Sequence, residues 1–318
     1  MSLRIASTAA LAGFFAVTLP AKAADPQLLN LVMPDAAVLA GVNVDQAKTS
    51  PFGQFVLNQV QTSDIQKLAA VTGFDPTRDV HEVLAAIGPA GSKTALALAR
   101  GSFNPTQIAA AAALKGGTTT ETYAGVDIIE DQKQTHGVAF LSSSLAVAGD
   151  VASVKAAIDR QKTPSSLPAA VLVQVGQWSN SQDAWVISTV PPATLHPAAG
   201  TAAIPGVGPA AAANPALQSI QSAAGGVKFG ETVVVTAQAT SDNAPDAESL
   251  ANTLKLLAAV AQMQAQNHAG LQTLAKSLQV SSQGTAVNIS FSISQAQIQE
   301  LITQPHTDHR PARIERKM

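Results

Sequence analysis

The sequence predicts an α+β protein of two related halves, each a mostly antiparallel sheet covered by helices. Strand-like segments alternate with capped helical ones through both halves. In "GTAVNISFSISQAQIQELI" (284–302), Val287, Ile289, Phe291 and Ile293 alternate with Asn288, Ser290 and Ser292, the pattern of a strand with one buried and one wet face. The strongest helical pattern, 246–266, sets Leu250, Leu254, Leu257 and Ala261 at i, i+4, i+7 and i+11, on one face. A strand–helix–strand–helix–hairpin order occurs in 24–165 and again in 166–303 without residue-level identity, which reads as a diverged duplication.

Taken in order, residues 1–23 have the pattern of a secretory signal peptide. Arg4 supplies the positive end, Ile5 to Leu19 is uncharged and apolar, Pro20 breaks the run, and "AKA" puts small residues before a cleavage expected after Ala23. The apolar run of about 15 residues is short of the roughly 20 that span a bilayer. An uncleaved anchor is the alternative. No later segment is long and apolar enough to span, so no transmembrane segment is expected after cleavage, and a periplasmic or secreted location follows. With no cysteine in the chain, an exported form is held by core burial and not by disulfides.

Within 24–165, "AAVLAGVNV" (36–44) has strand character. Ser50 and Pro51 open a helix over 50–60. "GFDPTRDVHEVLAAIG" (73–88) reads as a helix stop at Gly73, an N-cap at Asp75 and a second helix with Val80, Val83, Leu84 and Ile87 as its buried stripe. A strand over 94–103 precedes a helix over 104–117 that ends at glycine. Strands are expected over 121–131 and 136–150, the second folded into a hairpin at Ser142 to Ser144, and Asp150 caps a helix over 151–161. Within 166–303, a strand over 183–190 is followed by a loop over 191–215, whose Pro and Ala content prevents a helix and buries little. A short helix over 216–226 closed by two glycines, a strand over 231–240, the long helix and the final strand complete the half. The tail, 304–318, is basic and expected to fray.

Composition narrows the function. A leaderless chain has about 295 residues, room for two domains or one large one. Loss of Arg4 and Lys22 takes the formal charge from −2 to −4, so no nucleic-acid footprint is present. Aromatic residues make up 4%, too few for a base-stacking or sugar-stacking platform.

Each candidate chemistry has a plainer structural reading. In the cluster of Asp75, Arg78, Asp79, His81 and Glu82, the second histidine of a His-Glu-x-x-His zinc motif falls on Ala85, and one imidazole with one carboxylate is no three-ligand site. "GPAGSKT" (88–94) has Ser92 where a phosphate-binding loop needs glycine, and it precedes a strand, not a helix. Glu130, Asp131 and His136 with Ser142 to Ser144 could form a carboxylate–imidazole–hydroxyl set, yet the chain holds no Gly-x-Ser-x-Gly elbow. His306, Asp308 and His309 could chelate a metal only adventitiously, and Arg310, Arg313, Arg316 and Lys317 are too dispersed for firm binding to acidic surfaces. The Asp246 helix stripe reads as core packing or as the wall of an apolar groove. No catalytic, cofactor-binding or metal residue is assigned, and no cofactor is expected.

Certain stretches resemble a family of uncharacterised exported bacterial proteins. They are the Gly-Phe-Asp-Pro-x-x-Asp-Val turn-helix at Gly73 to Val80, the Arg-Gly-x-Phe strand end at Arg100 to Phe103, Tyr-x-Gly-Val at Tyr123 to Val126, "LAVAGD" leading into "VKAAID", and "DAWVIS". The resemblance covers most of the chain after the leader and implies the same fold and export. It carries no established activity and assigns no site residue. The leading expectation is an exported non-catalytic binding or interaction protein whose partner is a cell-envelope protein or a small apolar ligand. The alternatives are a carrier of an apolar ligand in a cavity lined by Leu254, Leu257 and Phe291, and a hydrolase assembled from His81, Asp131 and His136.

Overall fold

The protein is seen in a computed structural model that describes residues 24–60, 63–191, 215–264 and 276–298. The leader, nearly all of the Pro/Ala-rich loop, and the basic tail with its His306–His309 cluster lie outside the described residues.

The chain enters through a short helix, α1 (Pro26–Leu29), capped by Asp25, whose side chain accepts from the Gln27 N–H. Strand β1 (Val38–Asn43) runs into α2 (Val44–Thr49), where the Asn43 side chain caps the Gln46 N–H. Helix α3 (Pro51–Val60) starts as expected, with Ser50 Oγ accepting from the Gly53 N–H, and α4 (Ser63–Thr72) follows. The turn α5 (Pro76–Asp79) leads into β2 (Val80–Ile87) and β3 (Ala95–Gly101). Helix α6 (Pro105–Lys115), capped by Asn104, ends at Gly116 with φ 71°. Two hairpins then follow: β4 (Thr118–Tyr123) with β5 (Val126–Asp131), and β6 (His136–Ser142) with β7 (Leu145–Asp150). Asp150 caps α7 (Val151–Lys162) at the Ser153 N–H.

The second part comprises α8 (Ala169–Ser181), β8 (Ala184–Ser188), α9 (Pro215–Gln218), β9 (Ile220–Lys228), β10 (Thr232–Ser241), α10 (Ala244–Gln264), β11 (Gln279–Gln283) and β12 (Ala286–Ser294). All twelve strands form one antiparallel sheet in the order β11-β12-β10-β9-β8-β1-β2-β3-β7-β6-β5-β4. The expected α+β class is thus present. The pairing of β1 with β8, Val38 with Ser188 through Val42 with Ala184, joins the parts into one sheet. On either side of that seam the strand order matches: β1-β2-β3-β7-β6 outward on one side, β8-β9-β10-β12-β11 on the other.

Both faces of the sheet are covered. On one, Leu84, Leu96, Leu98, Ile128, Val147 and Ile187 pack with Leu28, with Val154 and Ile158 of α7, and with Val175 and Trp178 of α8. On the other, Val80, Val83, Ala99, Phe103 and Ala146 pack with Val44, Leu57 and Ile108. A separate cluster places Leu250 and Ala251 of α10 against Ala239 and Val287.

Two segments differ from their sequence reading. Residues 80–87 form a strand, not a helix. The apolar spacing of Val80, Val83 and Leu84 arises because β2 is central and packed on both faces, with a bulge between Val80 and Glu82 shifting the alternation, whereas Ile87 at the strand end is exposed and not part of a buried stripe. Residues 216–226 are one helical turn followed by β9. Its glycines are not a helix stop: a Cβ at Gly226 would lie 2.4 Å from Gln182 Cγ, so the neighbouring chain needs that space. Helix α8 and edge strand β11 had no counterpart in the sequence reading.

Candidate functional site

The opening cluster divides in two. Asp75, Arg78 and Asp79 are occupied by the turn itself. Asp75 accepts from the Thr77 N–H and hydroxyl, Asp79 accepts from the Asp75 N–H, and Arg78 donates to Asp79 and to the Gly73 carbonyl. The Arg78 hydrogen bond holds Asp79 below the ordinary carboxylate range. These hydrogen bonds explain a local shape.

His81 and Glu82 go elsewhere. Cross-strand register sets Asn43, Glu82 and Arg100 side by side, since Asn43 pairs with Glu82 and Glu82 with Arg100. Helix α2 adds Asp45, whose Oδ1 lies 2.9 Å from His81 Nδ1 and 3.4 Å from Lys48 Nζ. The segment before α1 adds Asp25, ion-paired to Arg100, with its N–H donating to Glu82 Oε1 at 3.1 Å. Just upstream, the Ala24 N–H donates to Ser179 Oγ, so this segment is fastened across the sheet end from its first described residue. The result is a cavity of about 420 Å³ lined by Asp25, Pro26, Asn43, Asp45, His81, Glu82 and Arg100. Burial raises the pKa of Asp45, but the hydrogen bond and charge of His81, together with Lys48, outweigh it and leave Asp45 below its ordinary value. Three carboxylates, Asp25, Asp45 and Glu82, line the cavity with Arg100, and Lys48 stands beside Asp45.

The Asp45–His81 pair has the geometry that orients an imidazole. Among the described residues the His81 ring makes its one hydrogen bond to Asp45, and no hydroxyl is bonded to it. No group of three or more His, Cys, Asp or Glu among the described residues is placed to hold a metal ion.

The other candidates do not join this site. Asp131 and His136 meet at 3.6 Å in the β5–β6 turn. There the Thr135 hydroxyl and N–H, then the His136 N–H, hold Asp131 down to about 2. His136 pairs with Asp150 at one end of the strands, whereas His81 neighbours Gly101 at the opposite end and several strands away. Ser142 to Ser144 form the turn at the far end of β6 from His136. The hydrolase assembly of His81, Asp131 and His136 is therefore not formed. Residues 88–94 are the β2–β3 connection, with the Gly88 N–H bonded to the Thr94 carbonyl. Of the residues expected to line an apolar cavity, Leu254 packs into the α10 core and Leu257 is 45% exposed. A second cavity of about 420 Å³ lies between α6 and β4–β6, with Val126, Ile129, Phe140 and Leu141 beside the polar Thr106, Thr120 and Asp127 in its wall.

Comparison with known proteins locates the fold. No protein-family model and no curated protein matches the chain. Solved structures of TP0453 are similar. Crystal form III has a TM-score of 0.55 at 11% identity, covering 86% of this chain and 96% of that one. Crystal form IV has a TM-score of 0.53 at 11% identity, with 86% and 95% covered. Crystal form I has a TM-score of 0.50 at 12% identity, with the same coverage. At this identity the likeness concerns the fold alone. Among the described residues no helix is long and apolar enough to cross a membrane.

Proposed function

We propose that the chain is an exported, non-catalytic binding protein, and that its ligand is a small polar molecule bearing both an acidic and a basic group. The observation that carries this reading is the convergence of Asp25, Asp45, His81, Glu82 and Arg100, from four separated segments, around one cavity. Walls with both signs of charge, already paired with one another, leave a ligand of a single sign uncompensated and match one carrying both. Among the described residues no hydroxyl is bonded to His81, which favours binding over acyl transfer. Export rests on the leader pattern of residues 1–23 and on the resemblance to the uncharacterised exported family. The matching strand order on either side of the β1–β8 seam supports descent of the halves from a duplication.

Free α-amino acids and dipeptides are the probes. A ligand present at 100 times its dissociation constant raises stability by about 2.7 kcal/mol, an easily read thermal shift. Arg100→Leu and Glu82→Gln are expected to weaken the response at least roughly tenfold, the loss of one charge-assisted contact. A panel in which no probe shifts the transition, or in which both variants respond like the parent, overturns the reading.

A second reading, carriage of an apolar molecule, is favoured by the cavity beneath α6, where Val126, Ile129, Phe140 and Leu141 share the wall with Thr106, Thr120 and Asp127 and no α6 residue is buried. Binding of an apolar fluorescent dye that Ile129→Lys abolishes, with the fold intact, supports it. Unchanged dye binding in that variant removes it.

A further inference from the structure

The sheet ends in two edge strands, β4 and β11, of which β11 packs through Val280 into the α10 core. Strand β4 reads "TTTETY", with no proline, no lysine and no bulge, the devices that usually blunt an edge. Its hairpin with β5 closes through two residues, Ala124 with φ 51° and Gly125 with φ 87°, a type I′ turn. In such a hairpin the closing pair, Tyr123 with Val126, exchanges hydrogen bonds across the ladder. Counting back by twos, Glu121 and Thr119 also bond inward to β5. The N–H and C=O groups of Thr118, Thr120 and Thr122 therefore point outward, and β4 has no outer strand neighbour among the described residues. Beside this edge the last turn of α6 is anchored by Thr118 Oγ1 donating to the Ala112 carbonyl, and it presents Leu114 at 84% exposure. Of the described large apolar side chains, it is the most exposed.

We propose that β4 is a docking edge for a second copy of this chain, joined antiparallel about a two-fold axis to give one sheet running through both copies. The sequence is self-complementary in one register. Residues directly opposite one another must face the same side of the sheet, so a two-fold axis has to pass beside a residue, not between two. Centred on Thr120, the pairing sets Thr120 against its own counterpart and Thr118 against Thr122. All three outward residues of each copy are then used, in six hydrogen bonds. It also sets Thr119 against Glu121, which separates the two glutamates. Centred on Glu121, the pairing would place like charges directly opposite, a destabilising arrangement. β-branched threonine pairs suit such a ladder.

The test is the molar mass of the full chain by light scattering across a concentration series, with three variants. The parent is expected to reach twice the chain mass as concentration rises. Thr120→Pro removes an outward N–H without touching the β5 ladder, and Thr120→Lys sets two cations on the axis. Each is expected to weaken the dimer roughly 10- to 100-fold with circular dichroism unchanged, the loss of one or two pair hydrogen bonds. Because the chain has no cysteine, Thr120→Cys with a short bis-maleimide should give a covalent dimer, and Ser281→Cys on the β11 edge should not. A parent that stays at one chain mass up to about 100 µM overturns the proposal. So does a dimer that survives both Thr120→Pro and Thr120→Lys, or one that cross-links at Ser281 and not at Thr120.

Discussion

Gly41 faces Trp185 directly across the β1–β8 seam, and the indole lies over the glycine. A Cβ at this position would meet Trp185 Cε2 at 2.5 Å, so Gly41→Ala must push a buried ring from its seat. Overpacking of this kind costs about 1–3 kcal/mol, read as a lower urea midpoint with a changed tryptophan emission. Glu130 behaves differently, being 1% exposed with Oε1 lacking a hydrogen-bond partner. Burial first, then its neighbour Glu121, push its pKa above the ordinary 4.5. The unfolded chain releases this proton near 4.5 while the folded chain holds it to higher pH, so Glu130 subtracts stability as pH rises through that interval. Glu130→Gln should match the parent in acid and exceed it at neutral pH. A variant less stable than the parent at neutral pH contradicts this account.

Elements show how far a single side chain's effect reaches. Asp150 ends β7, caps α7 through the Ser153 N–H at 2.9 Å, and accepts from the Ala95 N–H of β3 at 3.0 Å. Asp150→Ala should lower stability by about 1–2 kcal/mol in a denaturant titration, at the upper end for a cap because a strand end is also released. On α10 the leucine stripe is unequal: Leu250 is fully buried and Leu257 is nearly half exposed. Leu250→Ala is expected to cost about 2–5 kcal/mol and Leu257→Ala less than about 0.5 kcal/mol, a contrast that thermal melts can resolve. That inequality was not legible in the i, i+4, i+7 spacing, which locates a helix face but not where the neighbouring sheet ends. Caps were legible, because Asp75, Asn104 and Asp150 act on their own next turn. Strand β2 was not, because a strand covered on both faces loses its alternation and copies helical spacing. The site was half legible: His81 and Glu82 stand out in sequence, but Arg100 reaches them through strand register and Asp45 and Asp25 from α2 and the segment before α1, none of which leaves a local signature.

At the scale of the whole molecule, the β1–β8 seam joins the two parts into one sheet. Trp178 and Trp185 both belong to the core cluster beside that seam, whereas far-ultraviolet dichroism reports all twelve strands. The two signals are expected to trace a single coincident urea transition, and a dichroism change that precedes the fluorescence change would mean that the parts melt separately. The same seam has a consequence for how the chain acquires its structure. Val38 finds Ser188 only after the intervening chain has been made, so the innermost pairing of the sheet is among the most distant in sequence. Contacts of such separation are slow to form, since the closing loop must be ordered before it is rewarded. A nascent chain that has completed β7 still carries β1 with one bare flank, and it remains an unfinished template until β8 emerges. The rate of refolding is therefore set at the centre of the molecule, and variants there, Gly41→Ala first among them, should slow folding more than they hasten unfolding.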